Sequence, residues 1–256
     1  MSVPEPPSLN LGDPRTELRD RVQDALLALP SYFDSATNIE GLAATDLFSL
    51  NTVLGATIEV QVVQTLNRMR DVWDPNDEWT LYQFYRQAQT FPDVLFKRRN
   101  NTGGYDIALG VELKGWYMLA KEREPSFRYC VTPGACSDWD LLVVIPWYLS
   151  NVLSGVPRVS TPTCWSAKYI AEYRNYWWSH IRKTGQDSSI ESPSEVFPYM
   201  GRDNTSDKPV KDGGGNFGRI ARTGIMDDWI QEVLAEPLAG IPAEAWIDFL
   251  KRHESM

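Results

Sequence analysis

The chain has 256 residues, 43% hydrophobic and 23% charged, with a net charge of −9, which is the make-up of one large globular domain or two small ones with material for a buried core. No apolar run reaches the roughly 18 residues a bilayer-spanning helix needs, and the opening MSVPEPPSLNLGDPRTE lacks the basic-then-apolar layout of a secretion signal. Cys130, Cys136 and Cys164 leave an odd thiol and, with two histidines, form no zinc-ligand spacing, so a reduced, cytoplasmic setting is expected.

Residues 1–14 are rich in proline and read as a flexible arm. From Arg15 to Leu29, the spacing of Leu18, Val22, Ala25, Leu26 and Leu29 predicts a helix. A longer helix is expected from Asp46 to Trp73, with Leu50, Leu54, Ile58, Val62, Leu66, Met69 and Trp73 on one face and Asp74-Pro75-Asn76-Asp77 as its stop. Leu81–Ala88 reads as a short helix. Asp93–Arg98 and Tyr105–Leu119 read as strands joined by the turn-forming Asn100-Asn101-Thr102-Gly103-Gly104. Phe127–Val131 is a candidate strand, and Asp140–Pro146 is a continuous apolar strand of the kind covered on both faces. Trp165–Arg182 reads as a helix, 186–215 as a long polar loop, and Met226–Ala235 and Ala243–His253 as closing helices. Helices on either side of a central group of strands predict a single domain over 1–256 of the mixed α/β (α+β) class, a central mixed sheet flanked by helices with its core at about 46–146.

The chemistry concentrates in Phe91-Pro92-Asp93 and Val111-Glu112-Leu113-Lys114. Residues two apart on a strand point to the same face, so Glu112 and Lys114 are neighbours. If the hairpin pairs Arg98 near Ile107, Asp93 falls opposite Glu112. Hydrolysis of a phosphodiester needs a hard cation to neutralise developing charge, and Mg²⁺ takes oxygen ligands from one or two carboxylates plus water and phosphate. A lysine beside it orients or deprotonates the attacking water, or stabilises the oxyanion.

Pro92-Asp93 followed by Glu112-Leu113-Lys114 resembles the PD-(D/E)xK nuclease superfamily, which includes many type II restriction endonucleases. The resemblance covers about residues 46–146. It implies a restriction-endonuclease-like core and a Mg²⁺-dependent endonuclease (Mn²⁺ may substitute) acting on double-stranded DNA as a homodimer, with Asp93 and Glu112 on the metal and Lys114 at the nucleophile. A repair or recombination nuclease of the same fold and a non-catalytic DNA-binding or assembly protein are the alternatives. Members commonly add an acidic residue from the preceding helix, a part that falls to Glu59 here. Asp106, six residues before Glu112, is a rival metal ligand that would require Gly110 to break the strand. Asp140 reads as a strand-start residue rather than a ligand.

The negative net charge argues against generalised phosphate binding, which is driven by Lys and Arg. Positive charge nevertheless gathers in Lys97-Arg98-Arg99, in Lys121, Arg123 and Arg128, in Arg182-Lys183, and between Lys208 and Arg222. Arg98, Arg128, Lys211, Arg219 and Arg222 are therefore candidate DNA contacts, the last three within a glycine-rich stretch able to approach a phosphate closely. That stretch contains no P-loop, which excludes a nucleotide cofactor from the expectation. The 186–256 segment is the expected DNA-contacting part. His180 and His253 have no visible nucleophile partner, so a Ser or Cys hydrolase is disfavoured.

Overall fold

The computed structural model describes residues 2–41, 50–87, 89–183, 185–201 and 204–253. Helix α1 (Pro14–Leu27) starts where the chemistry directs: the Asp13 carboxylate accepts from the Arg15 amide at 2.9 Å, and Pro14 needs no amide partner. A single turn, α2 (Leu29–Tyr32), follows. The long helix is two pieces, α3 (Leu50–Arg68) and α4 (Arg70–Trp73), and its expected start at Asp46 lies outside the described residues. The break at Met69 has a visible cause. The Trp73 indole donates to the Leu66 carbonyl at 2.8 Å, occupying an acceptor that an unbroken helix would offer to residue 70.

The expected helix at Leu81–Ala88 is instead a strand, β1 (Gln83–Arg86). The Asn67 side chain bonds both backbone groups of Phe84, at 2.9 Å each, and β1 then lies antiparallel to β2 (Val94–Arg99). Tertiary pairing overrides the local pattern here. The remaining sheet comprises β3 (Tyr105–Tyr117), β4 (Leu141–Leu149), β5 (Pro157–Val159) and β6 (Thr163–Ser166). The order is β1-β2-β3-β4-β5, with β6 sharing the far edge of β4. Only β3 and β4 run parallel; every other neighbouring pair is antiparallel, so the sheet is mixed.

The β2–β3 register decides what shares a face with what. Val94 pairs with Val111, Leu95 with Gly110 and Phe96 with Leu109, but Lys97 then pairs with Ile107. Ala108 is the extra residue of a β-bulge. From Gly110 to Lys114 the parity is that of a regular strand. Beyond the bulge it inverts, so Tyr105 and Ile107 join the Glu112 face and Asp106 leaves it.

The anticipated helix from Trp165 opens as strand β6; α5 (Ala167–Tyr176) begins only after Ser166 caps it, and a π-turn (Trp177–Ile181) ends it. Helices α6 (Asp227–Ala235) and α7 (Ala243–His253) close the chain. Phe127–Val131 forms no strand; its single bridge joins Val131 to Ser206. One hydrophobic cluster runs from Leu18 in α1 through the sheet to Leu250 in α7. Trp73 meets Phe84 and Phe96 edge-on at centroid distances of 5.5 and 5.0 Å, fixing the helical layer on the Phe96 face of the hairpin.

The polar stretch 186–215, though largely irregular, is tied down rather than free. Its Thr205 carbonyl accepts from the Thr132 amide, and its Asp207 amide donates to the Cys130 carbonyl, both at 2.8 Å. Residues 2–13 carry no helix or strand, and Thr16 anchors the end of this arm through the Asn10 carbonyl at 2.7 Å. No helix among the described residues is long and apolar enough to cross a membrane.

Candidate active site

Asp93 immediately precedes β2 and falls opposite Glu112, the position the hairpin register predicts. The bulge shifts the pairing only in the distal half, where Arg98 meets Asp106 rather than Ile107. The Asp93 amide donates to Glu112 Oε2 at 3.1 Å, and Asp93 Oδ2 accepts from the Leu113 amide at 3.0 Å. These reciprocal bonds lock the two carboxylates in place. Lys114 Nζ lies 2.7 Å from Glu112 Oε1 and 3.4 Å from Asp93 Oδ2. Asp93, Glu112 and Lys114 are thus one contiguous charged group at the end of the hairpin away from its turn.

The local sequence explains why the group holds its shape. Gly110 faces Pro92 so closely that a Cβ there would sit 2.4 Å from Pro92 Cγ. Only glycine admits this approach. The Gly110 amide donates at 2.7 Å to Asp140 Oδ1, which also accepts from the Tyr199 hydroxyl at 2.5 Å, while Asp140 Oδ2 accepts from the Ser137 amide at 2.7 Å. Burial pushes the Asp140 carboxyl up to about 6, against the opposing effect of these three hydrogen bonds. Asp140 is therefore a buried strut that joins the start of β4, the middle of β3 and the 186–215 segment.

Electrostatically the group is strained. Glu112 is 7% exposed. Burial, together with the negative charge of Asp93, pushes its carboxyl up to about 7 despite the attraction of Lys114. Burial disfavours the charge on Lys114, but Glu112 and Asp93 outweigh it and hold the ammonium above its ordinary range. Two carboxylates and one cation leave surplus negative charge at a poorly solvated point. The two carboxylates of the group face a cavity of about 320 Å³ lined by Gln89, Thr90, Phe91, Val131, Thr205 and Ser206 together with Asp93 and Glu112.

Glu59 sits on α3 close enough for its charge to act on Lys114, yet its carboxylate is paired with Arg86 at 3.0 Å. Asp106 is elsewhere: β3 continues unbroken through Gly110, and Asp106 bonds Arg98 at 2.9 Å and Asn100 at 3.2 Å. No cluster of three or more His, Cys, Asp or Glu suited to a metal gathers among the described residues. A divalent ion at Asp93 and Glu112 would therefore complete its shell with water and phosphate, the habit of Mg²⁺, and its charge would offset the burial and the Asp93 repulsion that raise Glu112. The donor set fits such an ion.

The candidate DNA contacts behave differently. Arg98 is engaged by Asp106. Arg128 and Arg219 both donate to the Gly215 carbonyl, and Arg222 reaches Glu124 at 3.0 Å as well as Asn216. Asp212 accepts from the Asn216 and Phe217 amides, at 2.8 and 2.9 Å, closing the glycine-rich stretch into a defined loop. Lys211, on the same stretch, is exposed. Sequence reasoning missed the far wall of the cavity, Val131, Thr205 and Ser206, because its pairing spans some 75 positions of chain with no pattern in either segment. Phe91, beside the Pro-Asp pair, was the one lining residue within sight of the motif. Comparison with protein-family models, curated proteins and solved structures returned no match to this chain.

Proposed function

We propose that this protein is a Mg²⁺-dependent endonuclease that hydrolyses phosphodiester bonds of double-stranded DNA, with a restriction-endonuclease-like core and a type II restriction activity. The observation that carries this reading is the meeting of Asp93 and Glu112 on one cavity, with Lys114 Nζ within 3.4 Å of both carboxylates. The antiparallel β1-β2-β3 meander followed by a parallel β4, with α3 ahead of it, supports the same reading at the level of topology.

Asp93 and Glu112 would hold the Mg²⁺, with Mn²⁺ as a substitute; when bound, the ion supplies charge neutralisation at the phosphate and acidifies water. Lys114 carries three donors and stays protonated, so its part is to orient the attacking water and to donate to the phosphate oxygens as their charge grows. The Asp93 and Leu113 amides fix the carboxylates so that little reorganisation accompanies the reaction. Glu59, held by Arg86, adds negative potential behind Lys114 rather than a third ligand. A homodimer would match the two-fold symmetry of palindromic sites. Three free thiols suit a reducing compartment where DNA is also found.

The test is digestion of plasmid and phage DNA, methylated and unmethylated, with Mg²⁺ or Mn²⁺. Discrete fragments support the restriction reading, and structure-dependent nicking supports a repair or recombination enzyme. The absence of cleavage under every metal and methylation state would make the Glu112–Lys114 pair a structural ion pair in a non-catalytic binding protein.

A further inference from the structure

The cavity at Asp93 and Glu112 does not end there. It shares Thr90 and Phe91 with a second opening of about 220 Å³, lined by Gln87, Leu95, Lys97, Tyr105, Ile107 and Tyr199. It shares Thr205 and Ser206 with a third, of about 290 Å³, lined by Ser192, Asn204, Lys208 and Glu191. The three adjoin through these shared walls, with the cavity at Asp93 and Glu112 between the other two, and together they are taken as a groove. The β-bulge makes this possible: without Ala108, Tyr105 and Ile107 would face away from Glu112.

The two arms differ in chemistry. In the first, Leu95 and Ile107 give an apolar floor, Phe91, Tyr105 and Tyr199 supply aromatic faces and edges, and Lys97 Nζ stands 4.1 Å over the Tyr105 ring. Tyr105 is 55% exposed, so part of its ring is open to a partner. Such a surface suits a flat aromatic base with an anionic backbone beside it. The other arm has no aromatic among its described lining residues. It offers the hydroxyls of Ser192, Thr205 and Ser206, the Asn204 amide and Lys208, groups that bind phosphate and sugar, and the carboxylate of Glu191 lies across the ladder from Lys208.

Resting on the nuclease reading above, we infer that the groove is the track of the cleaved strand. That strand runs past Asp93 and Glu112 with its backbone on the Lys208 side, and it places an unstacked base against Tyr105 and Lys97 on the other. The substrate is then a duplex whose cut strand opens locally at this base, so a duplex already opened there should bind more tightly than a fully paired one. Tyr105 lies seven positions from Glu112 on β3, roughly 20 Å at ~3.3 Å per residue, so the base it receives is several nucleotides from the scissile phosphate.

The test is fluorescence anisotropy of labelled single-stranded, bulged-duplex and fully paired oligonucleotides with Ca²⁺, across a salt series, for the wild type and for Tyr105→Ala, Lys208→Ala and Lys251→Ala. Both substituted groove residues are exposed, and Lys251 lies on α7 outside the groove. The expected result is tighter binding of opened than of fully paired DNA. Tyr105→Ala should lose about tenfold on opened DNA only. Lys208→Ala should weaken all three ligands and lower the salt slope by about one, while Lys251→Ala binds as wild type. The inference is overturned if neither groove variant differs from Lys251→Ala, if fully paired DNA is preferred, or if the wild type binds no oligonucleotide. Should the binding pattern appear as expected but no Mg²⁺- or Mn²⁺-dependent cleavage follow, the groove stands and the nuclease reading fails.

Discussion

Two groups of buried charge lie on opposite sides of the same wall, and they are built to different ends. At the Asp93–Glu112–Lys114 group, two carboxylates share one ammonium and open onto a cavity. Behind the wall, Arg174 is 1% exposed and Asp207 is 2% exposed, and the guanidinium is enclosed by protein. It donates to the Tyr129 and Val131 carbonyls at 2.8 and 2.9 Å, to Asn175 and to Asp207, whose Oδ2 also accepts from Asn175 at 2.7 Å. The Arg174 knot binds the 129–131 and 205–207 segments into one layer, so its charges are consumed by the fold. The Asp93 group retains surplus negative charge and open space. A buried ion pair by itself does not mark a functional site; charge left unbalanced beside a cavity is what makes the Asp93 group the candidate.

The comparison breaks most sharply at Lys114. Replacing it with alanine should lower the cleavage rate by about 10²–10³-fold, as for loss of a donor to a developing oxyanion, in single-turnover assays at saturating protein. Arg174→Ala should instead act on stability. Leaving Asp207 buried and charged without its guanidinium should cost about 3–5 kcal/mol, read as a fall in the urea midpoint, with activity falling because the Thr205–Ser206 wall loosens. Glu112→Gln separates the two behaviours: it should abolish cleavage with little loss of stability at pH 8, where the native protein otherwise carries a poorly solvated carboxylate.

The pH dependence of metal binding sharpens the same point. Glu112 is lifted from 4.5 to about 7 by burial and by Asp93, so protons compete with a metal from about pH 7 downward. The thermal stabilisation given by Mn²⁺ or Ca²⁺ should therefore be full at pH 8, shrink through pH 7 and be small at pH 5. A response flat over that range would remove Glu112 from the ligand set. With no metal present the sign reverses for this group alone. A carboxyl whose native pKa is raised contributes less stability as pH climbs from 4.5 to about 7, because the unfolded chain gives up its proton first.

Smaller effects test the scaffold and the surface. Gly110→Ala would press a methyl against Pro92, at an expected cost of about 1–3 kcal/mol in chemical denaturation and a matching loss of activity as Asp93 shifts. Lys211→Ala, on an exposed side chain, should change stability by less than about 0.5 kcal/mol and leave cleavage close to wild type.

How much of this was legible in the sequence follows from the range of the interactions. The hairpin, its turn and the meeting of Asp93 with Glu112 depend on period-2 alternation over some twenty residues, and they could be read directly. The Ala108 bulge could not, because nothing in Ile107-Ala108-Leu109 announces an extra residue. Parity therefore left Asp106 on the Glu112 face, where the fold does not keep it. The strand at Gln83–Arg86 was hidden because its reason lies in the Asn67 amide, seventeen residues before Phe84. The basic stretch from Lys208 to Arg222 was visible as composition, but composition does not reveal that Arg128, Arg219 and Arg222 turn onto the loop's own backbone and neighbours.

The most direct test of the central claim is a time course of DNA cleavage with Mg²⁺ for the wild type, Asp93→Ala, Lys114→Ala and Asp106→Ala, all checked for native thermal unfolding. The account predicts cutting by the wild type and by Asp106→Ala, and none within the assay for Asp93→Ala or Lys114→Ala. Retained cleavage in Asp93→Ala or Lys114→Ala, with activity lost in Asp106→Ala, would contradict it.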